Sequence, residues 1–146
     1  MRTLIGTTLV LALTACSGGS TAAPQPINIS GSPVTVTGSA EPVVIVGTTL
    51  TVQPNGSATL TEKTSPPKAY TVTLPSSLVS KLYSDLAAAI PLQLLPQATG
   101  PNALAASLVI SVAGQTSPNI LGDSGIAGTL DVDVANIYSE FPAKSS

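Results

Sequence analysis

The sequence predicts one α+β domain. An antiparallel β-meander in the first half of the chain packs against one central helix, and a further strand and a C-terminal helix follow. Two patterns carry this prediction: threonine alternates with apolar residues over the first half, and apolar residues recur at helical spacing after Ser76. The chain has one cysteine in 146 residues, so the domain has to fold on its hydrophobic core, without an internal disulfide.

Two-residue alternation of threonine with apolar side chains predicts most strands of the meander. The run 43–46 is instead continuously β-branched, which is typical of a strand buried on both faces. Pro54-Asn55-Gly56 supplies the fixed φ and the left-handed position of a tight turn, so the strands on either side are predicted to form a hairpin. The predicted strands of the meander are 34–37, 43–46, 49–52, 58–61 and 69–74.

A helix is predicted over residues 76–90, because apolar residues fall on one face of a 3.6-residue repeat. Ser76 or Ser77 is placed to cap its first turn, and Pro91 ends it. Lys81 and Asp85 fall on the side opposite the apolar stripe. The stripe consists of Leu78, Leu82, Leu86, Ala89 and Ile90.

The second half of the chain gives less regular patterns. Residues 91–96 are apolar but bounded by prolines, which predicts an extended segment over the core, and residues 105–113 return to strand character. Residues 114–128 are predicted to be turn-rich and irregular. For residues 130–141 we favour a helix, although Leu130, Val132 and Val134 also alternate as in a strand. The helical stripe consists of Leu130, Val134, Ile137, Tyr138 and Phe141.

The N-terminal segment has the features of an export signal. Arg2 supplies a positive charge, and residues 4–13 form an apolar run that is too short to span a bilayer core, which needs about 20 residues. The end of this segment, Leu13-Thr14-Ala15-Cys16, resembles the lipobox of bacterial lipoproteins. The resemblance implies cleavage before Cys16, which then carries a diacylglyceryl thioether and an amide-linked acyl chain such as palmitate. Two or more acyl chains give stable membrane anchoring.

These features divide the chain into a signal peptide (1–15), a lipidated N-terminus with a flexible tether (16–32) and one globular domain (33–146). The tether is rich in small residues and prolines, and the folded part is predicted to begin near Ile27 or Pro33. Ser17 stands where an aspartate would resemble the inner-membrane retention signal of enteric bacteria. The anchor is therefore predicted in the outer membrane if the organism has two membranes.

Composition argues against several classes of function. The chain has no histidine, which removes the commonest general base and metal ligand and excludes Ser-His-Asp and Cys-His sites within one chain. Removal of Arg2 with the signal leaves four lysines against seven acids, and this acidity argues against nucleic acid as a partner. The four aromatic residues are too few for a base-stacking platform or for the stacked aromatic surfaces that usually grip sugars, and they are predicted in the core or at its edge. They are Tyr70, Tyr83, Tyr138 and Phe141.

Two acidic motifs are candidate sites. Asp123-Ser124-Gly125 resembles the aspartic protease signature, in which two aspartates share a proton. The chain has one copy, so such an enzyme would need a homodimer, and we favour a turn in which Asp123 bonds its own backbone. Asp123, Asp131 and Asp133 could together bind calcium. The last two are equally well explained as solvent-facing strand positions or as the first turn of a helix.

We therefore predict no catalytic residues, no cofactor and no metal, with Cys16 as the one modified residue. Residues 81–92 and 114–118 resemble segments of uncharacterised small secreted bacterial proteins, which implies one continuous domain and no particular chemistry. The predicted function is a membrane-anchored lipoprotein of the cell envelope with a non-catalytic binding domain for an envelope protein or peptide. The alternative is a carboxylate-dependent hydrolase that acts as a homodimer through Asp123-Ser124-Gly125.

Overall fold

The structure is a computed structural model that describes residues 27–40, 48–98, 106–120 and 125–142. These residues form a six-stranded antiparallel sheet and two helices, which confirms the α+β class. The predicted strand 43–46, Cys16, and Asp123 with Ser124 lie outside the described residues. The elements are β1 (Val34–Ala40), β2 (Thr48–Val52), β3 (Ser57–Glu62), β4 (Lys68–Thr73), α1 (Ser76–Ala89), a 3-10 turn (Leu92–Leu94), β5 (Ala106–Val112), β6 (Gln115–Thr116) and α2 (Gly125–Ser139).

The strand order across the sheet is β4-β3-β2-β1-β5-β6, and every neighbouring pair is antiparallel. The first four strands pair in chain order, as expected of a meander. The predicted hairpin joins β2 to β3, and Gly56 adopts the left-handed φ of +88° that the turn requires. The Gly56 amide donates to the Gln53 carbonyl at 3.0 Å, and the Asn55 side chain accepts from the Ser57 amide at 3.0 Å.

One face of the sheet packs against α1 and α2 to form the hydrophobic core. Residues ahead of β1 also pack against this core: Ile29 is buried, and the Tyr83 hydroxyl donates to the Ser32 carbonyl at 2.6 Å. The four aromatic residues lie in or beside the core, as predicted. The largest fully buried side chains are Leu50, Leu82, Leu86, Leu92, Ile110, Ile120, Leu130, Ile137, Val34, Val36 and Val52.

Helix α1 ends where the sequence predicts, with Ile90 as its C-cap before Pro91. The predicted cap at its start is wrong: Pro75 occupies the N-cap position, and neither Ser76 nor Ser77 makes a capping bond, because both already lie inside the helix. The predicted stripe is confirmed at Leu82, Leu86 and Ala89, whereas Leu78 and Ile90 are only half-buried. The fully packed residues of α1 are Val79, Leu82, Leu86 and Ala89.

The region after α1 is more regular than predicted. The segment 91–96 contains a 3-10 turn instead of being fully extended, and it buries Leu92 and Leu95 while Leu94 is 78% exposed. Within 114–128, β6 pairs with β5, and Ile120 forms an isolated bridge with Leu108. These pairings were missed because β6 has only two residues, too few to show a period.

Residues 130–141 confirm the helix that we favoured over a strand. Helix α2 begins at Gly125, earlier than predicted, and Leu130 and Val134 are buried on its inner side. Val132, which a strand would have buried beside them, is 55% exposed. No helix in the described part of the chain is long and apolar enough to cross a membrane.

Candidate functional site

The side of the sheet that faces away from the helices is covered by hydroxyl groups. Successive side chains of a strand point to opposite faces, so each threonine between two buried residues points outward. Among the described residues of the six strands, no charged side chain lies on this side. We call it the hydroxyl face, and it consists of Thr35, Thr37, Thr49, Thr51, Ser57, Thr59, Thr61, Thr71, Thr73, Ser111 and Thr116, with Ala69 and Val109 between them.

The strand register aligns these hydroxyls in rows. The long row crosses the whole sheet, with one residue from each of the six strands. At one end Thr59 Oγ1 lies 3.1 Å from Thr71 Oγ1, and at the other Ser111 Oγ lies 3.1 Å from Thr116 Oγ1. The long row is Thr71, Thr59, Thr51, Thr35, Ser111 and Thr116.

A second, shorter row of Thr37, Thr49 and Thr61 lines a cleft of about 330 Å³. This volume lies at the lower end of the range for small-molecule sites. The charged residues among those that line the cleft are buried Glu62 and exposed Lys63. Its other lining residues are Gly38, Thr48, Thr64 and Pro67.

A separate cluster of charged side chains links the two helices. The Lys81 ammonium group on α1 donates to Asp85 Oδ2 at 2.7 Å and to Asp133 Oδ1 of α2 at 2.6 Å. The Asp133 side chain is only 3% exposed, and its buried Oδ2 atom has no hydrogen-bond partner among the described residues.

This cluster corrects one prediction. Lys81 and Asp85 lie off the core stripe, and that side of α1 meets α2. Asp133 is neither solvent-facing nor in the first turn of α2, which begins eight residues earlier at Gly125. Its charge is accommodated in the packed interior because Lys81 approaches from the neighbouring helix.

The two carboxyl groups of the cluster have pKa values that shift in opposite directions. Burial raises the pKa of Asp133, while the hydrogen bond from Lys81 lowers the pKa of Asp85. Such a split is typical of acid–base pairs in active sites. Here, however, Lys81 binds an oxygen of each carboxylate, so the cluster is equally explained as an ionic link between helices.

The predicted sites are only partly covered by the described residues. Cys16, Asp123 and Ser124 lie outside the described residues, and Gly125 of the same motif is the first residue of α2. Within the described ranges no three His, Cys, Asp or Glu side chains are grouped so that they could hold a metal ion.

The sequence indicated the polar character of the hydroxyl face through its alternating threonines, but the alignment of the rows depends on strand pairing. No sequence pattern indicated the pairing of Lys81 with Asp133, because 52 positions separate the two residues. Comparison with known proteins assigns no function to either surface: the chain matches no protein-family model, no curated protein and no solved structure.

Proposed function

We propose that this chain is a bacterial lipoprotein, held in the membrane through Cys16, whose folded domain binds a component of the cell envelope without catalysing a reaction. Anchoring is supported by the export-signal features of residues 1–15 and the lipobox-like residues before Cys16. The observation that carries the binding proposal is the long row, a continuous uncharged surface across all six strands.

The chemistry of the chain supports binding over catalysis. It has no histidine, and its one thiol is the proposed lipidation site. Each carboxylate of the one close acidic pair described, Asp85 and Asp133, is bound by Lys81. A general acid–base mechanism needs a group that is free to exchange a proton with a substrate.

The anchor is tested by replacing Cys16 with serine. We expect Cys16→Ser to stall processing or to release the protein from the membrane fraction, because the thioether cannot form. Mass spectrometry of the wild-type mature N-terminus should show Cys16 carrying acyl chains. A mature chain that starts elsewhere, or that carries no lipid, would contradict the proposal.

Binding is tested with washed cell envelopes in a sedimentation assay, using a lipid-free Cys16→Ser chain of residues 16–146 that is produced without the signal peptide. Thr51→Lys places a charge in the middle of the long row, and we expect it to abolish co-sedimentation. Ser80→Lys adds the same charge at an exposed position of α1 and should bind as the parent chain does. Equal binding by the two lysine variants would show that the hydroxyl face is not the binding surface.

The alternative function is a carboxylate-dependent hydrolase, and the observation that favours it is the split in pKa between Asp85 and Asp133. An acid-pH peptidase assay of the mature chain decides between the two functions, and we expect no cleavage. Cleavage that Asp123→Ala abolishes would establish the homodimeric enzyme. Cleavage that only Asp133→Asn abolishes would instead assign activity to the charged cluster.

A further inference from the structure

We infer that the partner of the hydroxyl face is a glycan strand, an uncharged polymer with hydroxyl groups at regular intervals. This inference rests on the proposed binding function and names the chemical class of the partner. It follows from the charge, the chemistry and the spacing of the aligned rows.

The charge of the face argues against most other partners. Nucleic acids and anionic lipid headgroups are bound through lysine and arginine, and the described strands present none on this side. Protein interfaces are centred on aromatic or large apolar anchors, whereas Ala69 and Val109 are the apolar side chains of this face among the strand residues that the structure describes. An uncharged face complements an uncharged partner.

Threonine and serine hydroxyls each donate one hydrogen bond and accept others. The hydroxyl groups of a sugar have the same capacity, so the two surfaces can pair in either direction. In the described pairs, Thr59 with Thr71 and Ser111 with Thr116, the hydroxyls already bond to each other across strands. This bonding fixes their positions before a ligand arrives and lowers the entropy lost on binding.

The spacing favours a polymer over a small molecule. Neighbouring strands lie about 4.8 Å apart, and alternate residues along a strand are about 6.7 Å apart. Hydroxyls therefore repeat at nearly constant intervals in both directions. Because each strand is rotated by about 20° from the last, the long row twists across the sheet. A glycan chain can follow that twist, whereas a flat crystalline surface would contact only part of it.

The cleft gives the glycan strand an anchoring point beside the long row of hydroxyls. Its volume of about 330 Å³ corresponds to about eleven waters at about 30 Å³ each, which is room for one sugar ring. Thr37, Thr49 and Thr61 line it as a second row of hydroxyls. The face lacks the aromatic residues that grip single sugars, so each domain binds weakly. Many copies anchored in one membrane would strengthen binding through avidity.

The test uses the lipid-free Cys16→Ser chain with two probes: purified peptidoglycan sacculi and amorphous chitin, which carries no peptides. Binding to both would show that the glycan backbone suffices, whereas binding to sacculi alone would implicate the stem peptides and overturn the inference. We expect binding to chitin to change less than about twofold between low and high salt, because the long row carries no charged side chain and chitin is essentially uncharged. Heparin, a charged glycan, should not compete.

The decisive variant combines Thr35→Val, Thr51→Val and Thr59→Val. Valine keeps the shape and the β preference of threonine but removes three hydroxyls from the long row. We expect the dissociation constant to rise at least about tenfold. The matching triple serine variant keeps the hydroxyls and should bind within about twofold of the parent. Thr129→Val on α2, outside the face, serves as a second control.

Failure of the parent chain to bind either probe would overturn the inference, as would equal binding by the triple valine variant. If the valine variant misfolds, as judged by its Tm, Thr51→Lys gives the same test with one substitution. Loss of glycan binding alone, with envelope sedimentation still sensitive to Thr51→Lys, would leave the proposed function standing with a protein partner. Loss of both would remove the proposed function as well.

Discussion

Leu86→Ala tests the packing of α1 on the sheet. The Leu86 side chain is fully buried in the core shared by the sheet and the helices. The substitution removes three carbons, and at about 0.8 kcal/mol for each buried methylene the transfer loss alone is about 2.4 kcal/mol. The cavity left behind adds to this, so the free energy of unfolding should fall by about 2–5 kcal/mol.

The same substitution at Leu94 provides a matched control. Leu94 lies on the 3-10 turn after α1 and is 78% exposed, so Leu94→Ala should change stability by less than about 0.5 kcal/mol. Urea unfolding of both variants, read as midpoint shifts at a constant m-value, gives the comparison. Equal effects of the two substitutions, or a change at Leu86 within about 0.5 kcal/mol, would refute this packing of α1.

Two further predictions concern ionisable groups. Burial raises the pKa of Tyr138 from 10.0 to about 12, so the folded state keeps a proton that the unfolded state loses. Stability from this residue is complete below pH 10 and falls as the pH rises toward 12, by about 1.4 kcal/mol for each unit. Tyr138→Phe should flatten that alkaline slope in unfolding experiments, and an unchanged slope would contradict the shift. Lys81→Met should leave the Asp133 carboxylate buried without its cation. Because protonation of Asp133 relieves this, the variant should be destabilised more at pH 7 than at pH 3, and a pH-independent effect would show that the cluster does not link the helices.

The elements in which a regular pattern repeats over the longest stretches were predictable from the sequence alone. Threonine alternation located β1 to β4, and the spacing of Leu82 and Leu86 located α1, because each pattern reports one buried face. The sequence did not determine which side of the first turn of α1 is buried. Leu78 and Val79 are adjacent and both apolar, and only the position of the sheet decides which one is buried.

The candidate surfaces depended on information that a linear pattern does not hold. A threonine between two apolar residues predicts a hydroxyl that points outward. Which residues lie beside it on the neighbouring strands depends on the strand register, which places Thr51 between Thr35 and Thr59. The link between Lys81 and Asp133 depends on how two helices meet. A charge opposite an apolar stripe looks solvent-facing in sequence whether or not another helix covers it.

The interior position of β1 has a consequence for how the chain reaches its folded state. Val34 pairs with Val52 on one side and with Val112 on the other. The first strand therefore needs β5, a partner strand that is synthesised much later. The meander closes through short local loops, whereas the pairing of β1 with β5 closes a loop that contains the meander and α1. Until Val112 is available, one edge of β1 stays open, and an open strand edge is a template for pairing with other chains. The interval between the appearance of β1 and that of β5 is therefore when this chain is most exposed to aggregation.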